Sequence, residues 1–328
     1  RIWNEELFKH LMKELNLSID FIVFKRFINH SFVQELAEKQ YSIHQVLREH
    51  IYEHYSEHEQ DFVKEIHETI IKYYLPLIDF SSAKELTPQK IQYIDEWLYH
   101  AAKINLENAV QKFLDQVELL SRGGYYRFVY KILSAFVTQD LSKQLYVSCL
   151  NKLGETEFIL GFVDEAKKHL LEAYEYYLSQ QQETEEFVDI IANLGGIDQL
   201  KGNYQKALEY FKKALDVANH IDYKLGKAEV LNNIGMILHS LGKPKEALDN
   251  YQQALNIARE LDDKSKESVF LNSIGQVLYS WGKYGEALDY YQQALKIAKE
   301  LGDKVGEAEY LNNIGMIFYS WGKPEEAL

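Results

Sequence analysis

Three kinds of side chain in this 328-residue sequence have the types and spacing to do chemistry, and each also has a plainer use. His50, His54 and His58 recur every four residues, which puts three imidazoles on one helix face where Glu53, Glu57 or Glu59 can help them hold a metal. No partner motif of cysteine and histidine stands elsewhere to complete a ligand set, so the stripe reads as solvated helix surface and no metal is assigned. Asp262 with Asp263, and Glu325 with Glu326, have the composition of a general acid and base, but both pairs fall where helices begin and acids favour the macrodipole. Cys149, the single cysteine, has Val147 and Leu150 as apolar neighbours and reads as a buried structural thiol rather than a nucleophile. No Gly-x-x-x-x-Gly-Lys-Ser/Thr loop occurs, so this segment cannot hydrolyse a nucleotide alone. No catalytic residue is assigned, and the segment reads as no enzyme.

The elements that carry these residues are set by a repeat. Leu231–Gly235, Leu271–Gly275 and Leu311–Gly315 spell one motif at a period of 40, with looser copies at Ile191–Gly195 and Leu150–Gly154. Two ladders follow it: Gly161, Gly202, Gly242, Gly282 and Gly322, then Ala166, Ala207, Ala247, Ala287 and Ala327. Leu231, Ile234 and Leu238 are spaced by three and four residues, as are Ala247, Tyr251, Ala254 and Ala258, so each unit predicts two amphipathic helices. Gly242 or Gly282 ends the first helix, Pro244 or Pro324 opens the second, and Asp263 and Asp303 stand at N-cap positions. One pair of this length cannot bury its apolar face alone, so neighbouring pairs must stack.

At these residues the sequence resembles the tetratricopeptide repeat (TPR) family, in a 40-residue variant with Leu231, Leu271 and Leu311 where the consensus has tryptophan. The resemblance implies an α-α superhelix over 141–328, with five units of which the last is truncated. It also implies a concave wall built from each first helix: Glu229, Asn232, Met236 and His239; Asn272, Gln276 and Tyr279; Glu309, Asn312, Met316 and Tyr319. Amides and carboxylates there can bond a peptide backbone, while methionine and tyrosine offer adaptable apolar area. Lysine and arginine are absent from these positions, which disfavours a partner held by its terminal carboxylate and favours a neutral or basic-apolar segment. The plainer reading of Asn232, Asn272 and Asn312 is helix surface copied by repeat duplication.

Upstream the helical pattern persists without the repeat. Residues 91–103, 106–120 and 125–136 predict three helices of an arm spanning 61–140, with a joint over 75–88 that holds Pro76 and Pro88. Residues 1–60 predict helices at 3–15, 18–29 and 32–38, an extended piece at 40–43 and a long helix from His44, an order that suggests a winged-helix module. Residues 41–50 resemble the end of that module in STAND-type (NB-ARC-like) signalling ATPases. That resemblance implies that His44 senses the β-phosphate of ADP, with Ile43 and Gln45 replacing the family's methionine and aspartate.

Net charge is −14, and residues 191–328 hold 16 basic against 19 acidic side chains, so no basic stripe for nucleic acid is present in the repeats. No apolar run approaches the ~20 residues that span a bilayer. A lone cysteine excludes an internal disulfide and fits a reducing, cytoplasmic setting. Arg1 in place of methionine, and a stop at Leu328 where a helix begins, read as the ends of a fragment. The expectation is an all-α protein without a cofactor of its own, with ADP or ATP held by an upstream module. It would be the ligand-sensing region of a STAND-type ATPase, with a protein or peptide partner, no nucleic acid, no membrane and ligand-induced homo-oligomerisation. A stand-alone TPR adaptor scaffold is the alternative.

Overall fold

A computed structural model describes residues 3–14, 33–37, 40–43, 60–78 and 86–322. The fold class is all-α, with three short strands near the amino terminus, and the chain divides into two compact units, 1–160 and 161–328. The packing division falls after Leu160, one helix beyond the position 141 expected from the repeat.

In the first unit, β1 (Trp3–Asn4), β3 (Gln40–Ile43) and β2 (Val33–Ala37) form an antiparallel sheet in the order β1-β3-β2. Trp3 pairs with Tyr41 and Val33 with Ile43, and the register shifts between Glu35 and Ala37. The helix expected at 32–38 is therefore a strand. Its glutamine, glutamate, leucine and alanine favour a helix, but pairing with the aromatic and β-branched β3 satisfies the backbone and overrides that propensity.

Helix α1 (Glu5–Glu14) packs on α2 (Gln60–Tyr74), and α2 on α3 (Pro88–Ile104). A single 3₁₀ turn, Leu75–Leu77, takes up Pro76, and Thr87 caps α3 by accepting from the Lys90 N–H at 3.2 Å, with Pro88 at the first helical position. Residues 106–120, expected as one helix, are two: α4 (Leu106–Leu114) and α5 (Val117–Arg122), interrupted at Asp115 and Gln116. The break leaves Phe113, Val117 and Leu120 all buried in one core. Helices α6 (Tyr126–Phe136) and α7 (Lys143–Leu160) complete the unit, and Cys149 lies in that core with no exposed surface.

The second unit opens with α8 (Val163–Gln180), which precedes three helix pairs: α9 (Glu185–Leu200) with α10 (Tyr204–His220), α11 (Lys224–Ser240) with α12 (Pro244–Glu260), and α13 (Lys264–Ser280) with α14 (Tyr284–Leu301). Helix α15 (Lys304–Ser320) follows. Each inner turn closes through a glycine: at Gly242, φ is +72°, and Lys243 N–H reaches back to the Leu238 carbonyl at 2.9 Å, the long bond of a helix-ending αL turn. Within a pair one aromatic ring fills the space over a helical glycine. A Cβ on Gly235 would lie 2.7 Å from the Tyr251 ring and one on Gly275 2.6 Å from Tyr291, while Phe211 covers Gly195 in the same way. Burial pushes the Tyr251 and Tyr291 phenols up. Asp263 and Asp303 cap α13 and α15 as expected, Asp263 accepting from Lys266 N–H at 2.9 Å and Asp303 from Gly306 N–H at 3.1 Å.

Candidate partner-binding wall

Consecutive first helices, α9 to α11, α11 to α13 and α13 to α15, touch one another directly, whereas second helices do so at most weakly. The pairs therefore converge on the first-helix side, which makes that side the inner wall of the array. On α11 the core takes Val230, Leu231, Ile234, Ile237 and Leu238. The remaining stripe, Leu225, Glu229, Asn233, Met236 and Ser240, recurs every three or four residues and faces away from the core.

The wall residues expected from sequence separate into two sets in the structure. One set ties neighbouring repeats together. Asn232 is nearly buried and accepts from Ser273 Oγ at 3.1 Å; Asn272 accepts from the Asn313 amide and donates to Glu309, both at 2.8 Å. His239 Nε2 meets Ser280 Oγ at 2.8 Å, and the Tyr279 hydroxyl meets Ser320 Oγ at 3.0 Å. Glu229 pairs with Lys266. Asn232 and Asn272 thus spend their amide oxygens on the next repeat, where a buried group left unmade would cost about 1–3 kcal/mol, while the Asn232 amide nitrogen turns to Met236 Sδ on its own helix at 3.7 Å.

The other set faces outward. Met236 is 43% exposed, Met316 39% and Tyr319 75%, and Gln276 and Asn312 are exposed. Met236, Gln276 and Met316 stand at one position of three successive units, an uninterrupted column along the wall. Val269, 41% exposed, stands one turn before Ser273 and two before Gln276 on α13. The sequence reading named none of Val269, Ser273 and Asn313. The signal that finds the last two is an offset of 41, one more than the repeat, which pairs Asn232 with Ser273 and Asn272 with Asn313.

Away from the wall, Asp198 is fully buried at the end of α9, where the later units have Leu238 and Leu278. It accepts from Lys167 Nζ at 2.9 Å and from the Asn203 amide at 3.2 Å, with Lys206 at 3.9 Å. Burial pushes its carboxyl up, but those donors and the charge of Lys206 outweigh it and hold it below the usual carboxylate range. His44, and the stripe His50, His54 and His58, lie outside the described residues, as do Glu325 and Glu326. No helix among the described residues is long and apolar enough to cross a membrane.

The tetratricopeptide repeat pattern matches residues 187–260 and 267–328, so these units are TPRs. No curated protein sequence matches the chain significantly. Among solved structures, a signal transduction ATPase with numerous domains from Pyrococcus horikoshii, carrying a TPR sensor, aligns over all of this chain at 20% identity and a TM-score of 0.61; the chain spans 47% of that protein's length. RapI in its apo form aligns with 66% of the chain and 81% of its own, at 18% identity and a TM-score of 0.55. PlcR of Bacillus thuringiensis, crystallised with the peptide PapR7 and DNA, aligns with 69% of the chain and 85% of its own, at 16% identity and a TM-score of 0.56. At these identities the likeness establishes a shared fold.

Proposed function

We propose that the TPR array is a ligand sensor whose inner wall captures a peptide or protein segment. The observation that carries this reading is the exposed column Met236, Gln276 and Met316, which stands open on the wall while its neighbours are used to join repeats; Met236 Sδ accepts from the Asn232 amide of its own helix at 3.7 Å. Methionine is unbranched and polarizable, so such a column fits varied apolar side chains at low cost. Two of the chain's three methionines lie in it, the third being Met12. Methyl NMR of the whole chain is therefore a direct test. A peptide pool that contains a partner shifts the Met236 and Met316 methyls and leaves Met12 in place, and replacing Met236, Gln276 and Met316 with alanine removes the binding. Binding that survives the triple replacement rejects the wall as the site.

The finer reading is a sensor region of a STAND-type ATPase, in which the amino-terminal residues form the winged helix that relays ligand capture to a nucleotide module. Two observations support it: the three-stranded antiparallel sheet beside α1, and the full-length alignment with a protein of that kind from P. horikoshii. Of the residues that would meet ADP by this resemblance, only His44 is in the chain, and no step is assigned to it. Substituting His44→Ala in a protein carrying the nucleotide module changes ADP retention on this reading; unchanged retention leaves the adaptor scaffold as the better account.

A further inference from the structure

A cavity of about 220 Å³ opens in the second unit where α10 turns into α11 and the end of α12 lies beside them. Its lining carries four charged side chains, Asp222, Lys224, Lys227 and Glu260, together with the Asn219 amide. Lys224 is held by Glu260, whereas the Lys227 ammonium and the Asn219 amide have no partner among the described residues. One repeat later the same joint is filled. Arg259 stands in place of Asn219 and Glu267 in place of Lys227; Arg259 Nε donates to one Glu267 oxygen at 2.7 Å, and Lys264 Nζ donates to the other at 2.8 Å. The joint after that repeats the pattern, with Lys304 Nζ donating to Glu307 at 2.8 Å. Burial pushes the Glu267 carboxyl up, but its two cationic donors outweigh this and hold it below the usual carboxylate range.

The later joints are thus built around a carboxylate among cations, and between α10 and α11 the chain supplies a lysine where that carboxylate would be. The charge balance agrees. The cavity lining sums to zero, whereas the eight equivalent positions from Ala258 to Glu300 sum to −2, so an added carboxylate only brings the open joint towards its filled neighbour. We propose that this cavity binds a small molecule through a carboxylate, the Lys227 ammonium and the Asn219 amide donating to the oxygens that Glu267 contributes at the next joint. Charge-assisted hydrogen bonds of this kind are the stronger ones. The volume, below the ~300 Å³ of drug-sized pockets, limits the occupant to a small acid. None of the lining residues belongs to the exposed column of the wall, so this site stands apart from the sensor reading.

The test titrates the whole chain with glutarate, inorganic phosphate and a capped glutamate tripeptide, following the backbone amides of Asn219, Asp222 and Lys227 by NMR. Glutarate should shift them saturably and more tightly than phosphate, with the Met236 and Met316 methyls left in place. Lys227→Gln should weaken glutarate about tenfold, and Lys227→Glu, which installs the carboxylate of the later joints, should abolish its binding; both variants should keep the helical circular dichroism of the parent. A phosphate response as tight as that of glutarate overturns the carboxylate assignment, and a response to the tripeptide alone overturns the small-molecule occupant. No saturable shift, or one that Lys227→Glu leaves unchanged, overturns the site.

Discussion

The pair α9–α10 and the later pairs α11–α12 and α13–α14 share one hairpin geometry, yet they are held by different chemistry. Where the later units bury Leu238 and Leu278, the earlier one buries Asp198 with Lys167, Asn203 and Lys206 gathered round it. On the wall the order is reversed. Ala192 in α9 makes no polar ladder, whereas Asn232 and Asn272 stitch each later unit to the next. The difference teaches that a unit can place its polar cross-links in the core, where Asp198 is tied to α8 through Lys167, or along the wall, where asparagines join one first helix to the next, without changing the hairpin, and that the choice changes which wall positions remain exposed to a partner.

The sharpest way to break this comparison is at the buried charge. Lys167→Met leaves Asp198 with one direct donor and a distant ammonium, and should lower stability by about 3 kcal/mol in denaturant unfolding. Adding Asp198→Leu, the residue type of the later units, should restore most of it; a double variant as unstable as the single would show that α8 needs more than charge balance here. The acid response follows. The Asp198 carboxyl is held below its unfolded value, so its contribution is complete above the unfolded pKa and is lost as pH falls through the lower folded value. Wild-type stability should therefore drop more steeply below about pH 4 than that of the double variant.

A smaller effect concerns the feature all pairs share. Gly275→Ala would normally gain up to about 1 kcal/mol in a helix, but the new Cβ would meet Tyr291 at 2.6 Å. A net loss of about 1–2 kcal/mol is expected from overpacking, while Gly285→Ala, with nothing within 4 Å, should be neutral or stabilising. Thermal unfolding of the two variants side by side checks this, and equal shifts would remove the ring-over-glycine contact as the fixed point of the hairpin. Smaller again is the cap: Asp263→Ala should cost about 1 kcal/mol, whereas α11, whose N-cap Tyr223 makes no side-chain bond, has no such contribution to lose.

Much of the repeat fold was legible because its residues have positional demands that few others meet. Glycine at the positive-φ turn, proline at a first helical position and aspartate at an N-cap each mark a boundary, and a period of 40 multiplies the signal. Residues 33–37 were not legible, since local propensity says helix and only the distant β3 makes them a strand. Asp198 escaped for a related reason: its partners Lys167, on α8, and Asn203, in the turn before α10, stand at positions the repeat does not preserve. For the wall, helical spacing located the first-helix stripe, but it could not divide the asparagines from the methionines. That division depends on the neighbouring unit, through Ser273 and Asn313, each 41 residues from its partner.

The central claim is that the wall contains a ladder that joins repeats and an exposed column that does not, and one measurement weighs them directly: the denaturant midpoint of the 328-residue chain carrying Asn272→Ala, against the same chain carrying Met236→Ala, Gln276→Ala and Met316→Ala. Asn272→Ala should lose about 1–2 kcal/mol by stranding the buried Asn313 amide, and the triple variant should stay within about 0.5 kcal/mol of wild type. A triple variant that falls as far as Asn272→Ala would mean that the column is part of the packing, and that the wall holds nothing in reserve for a partner.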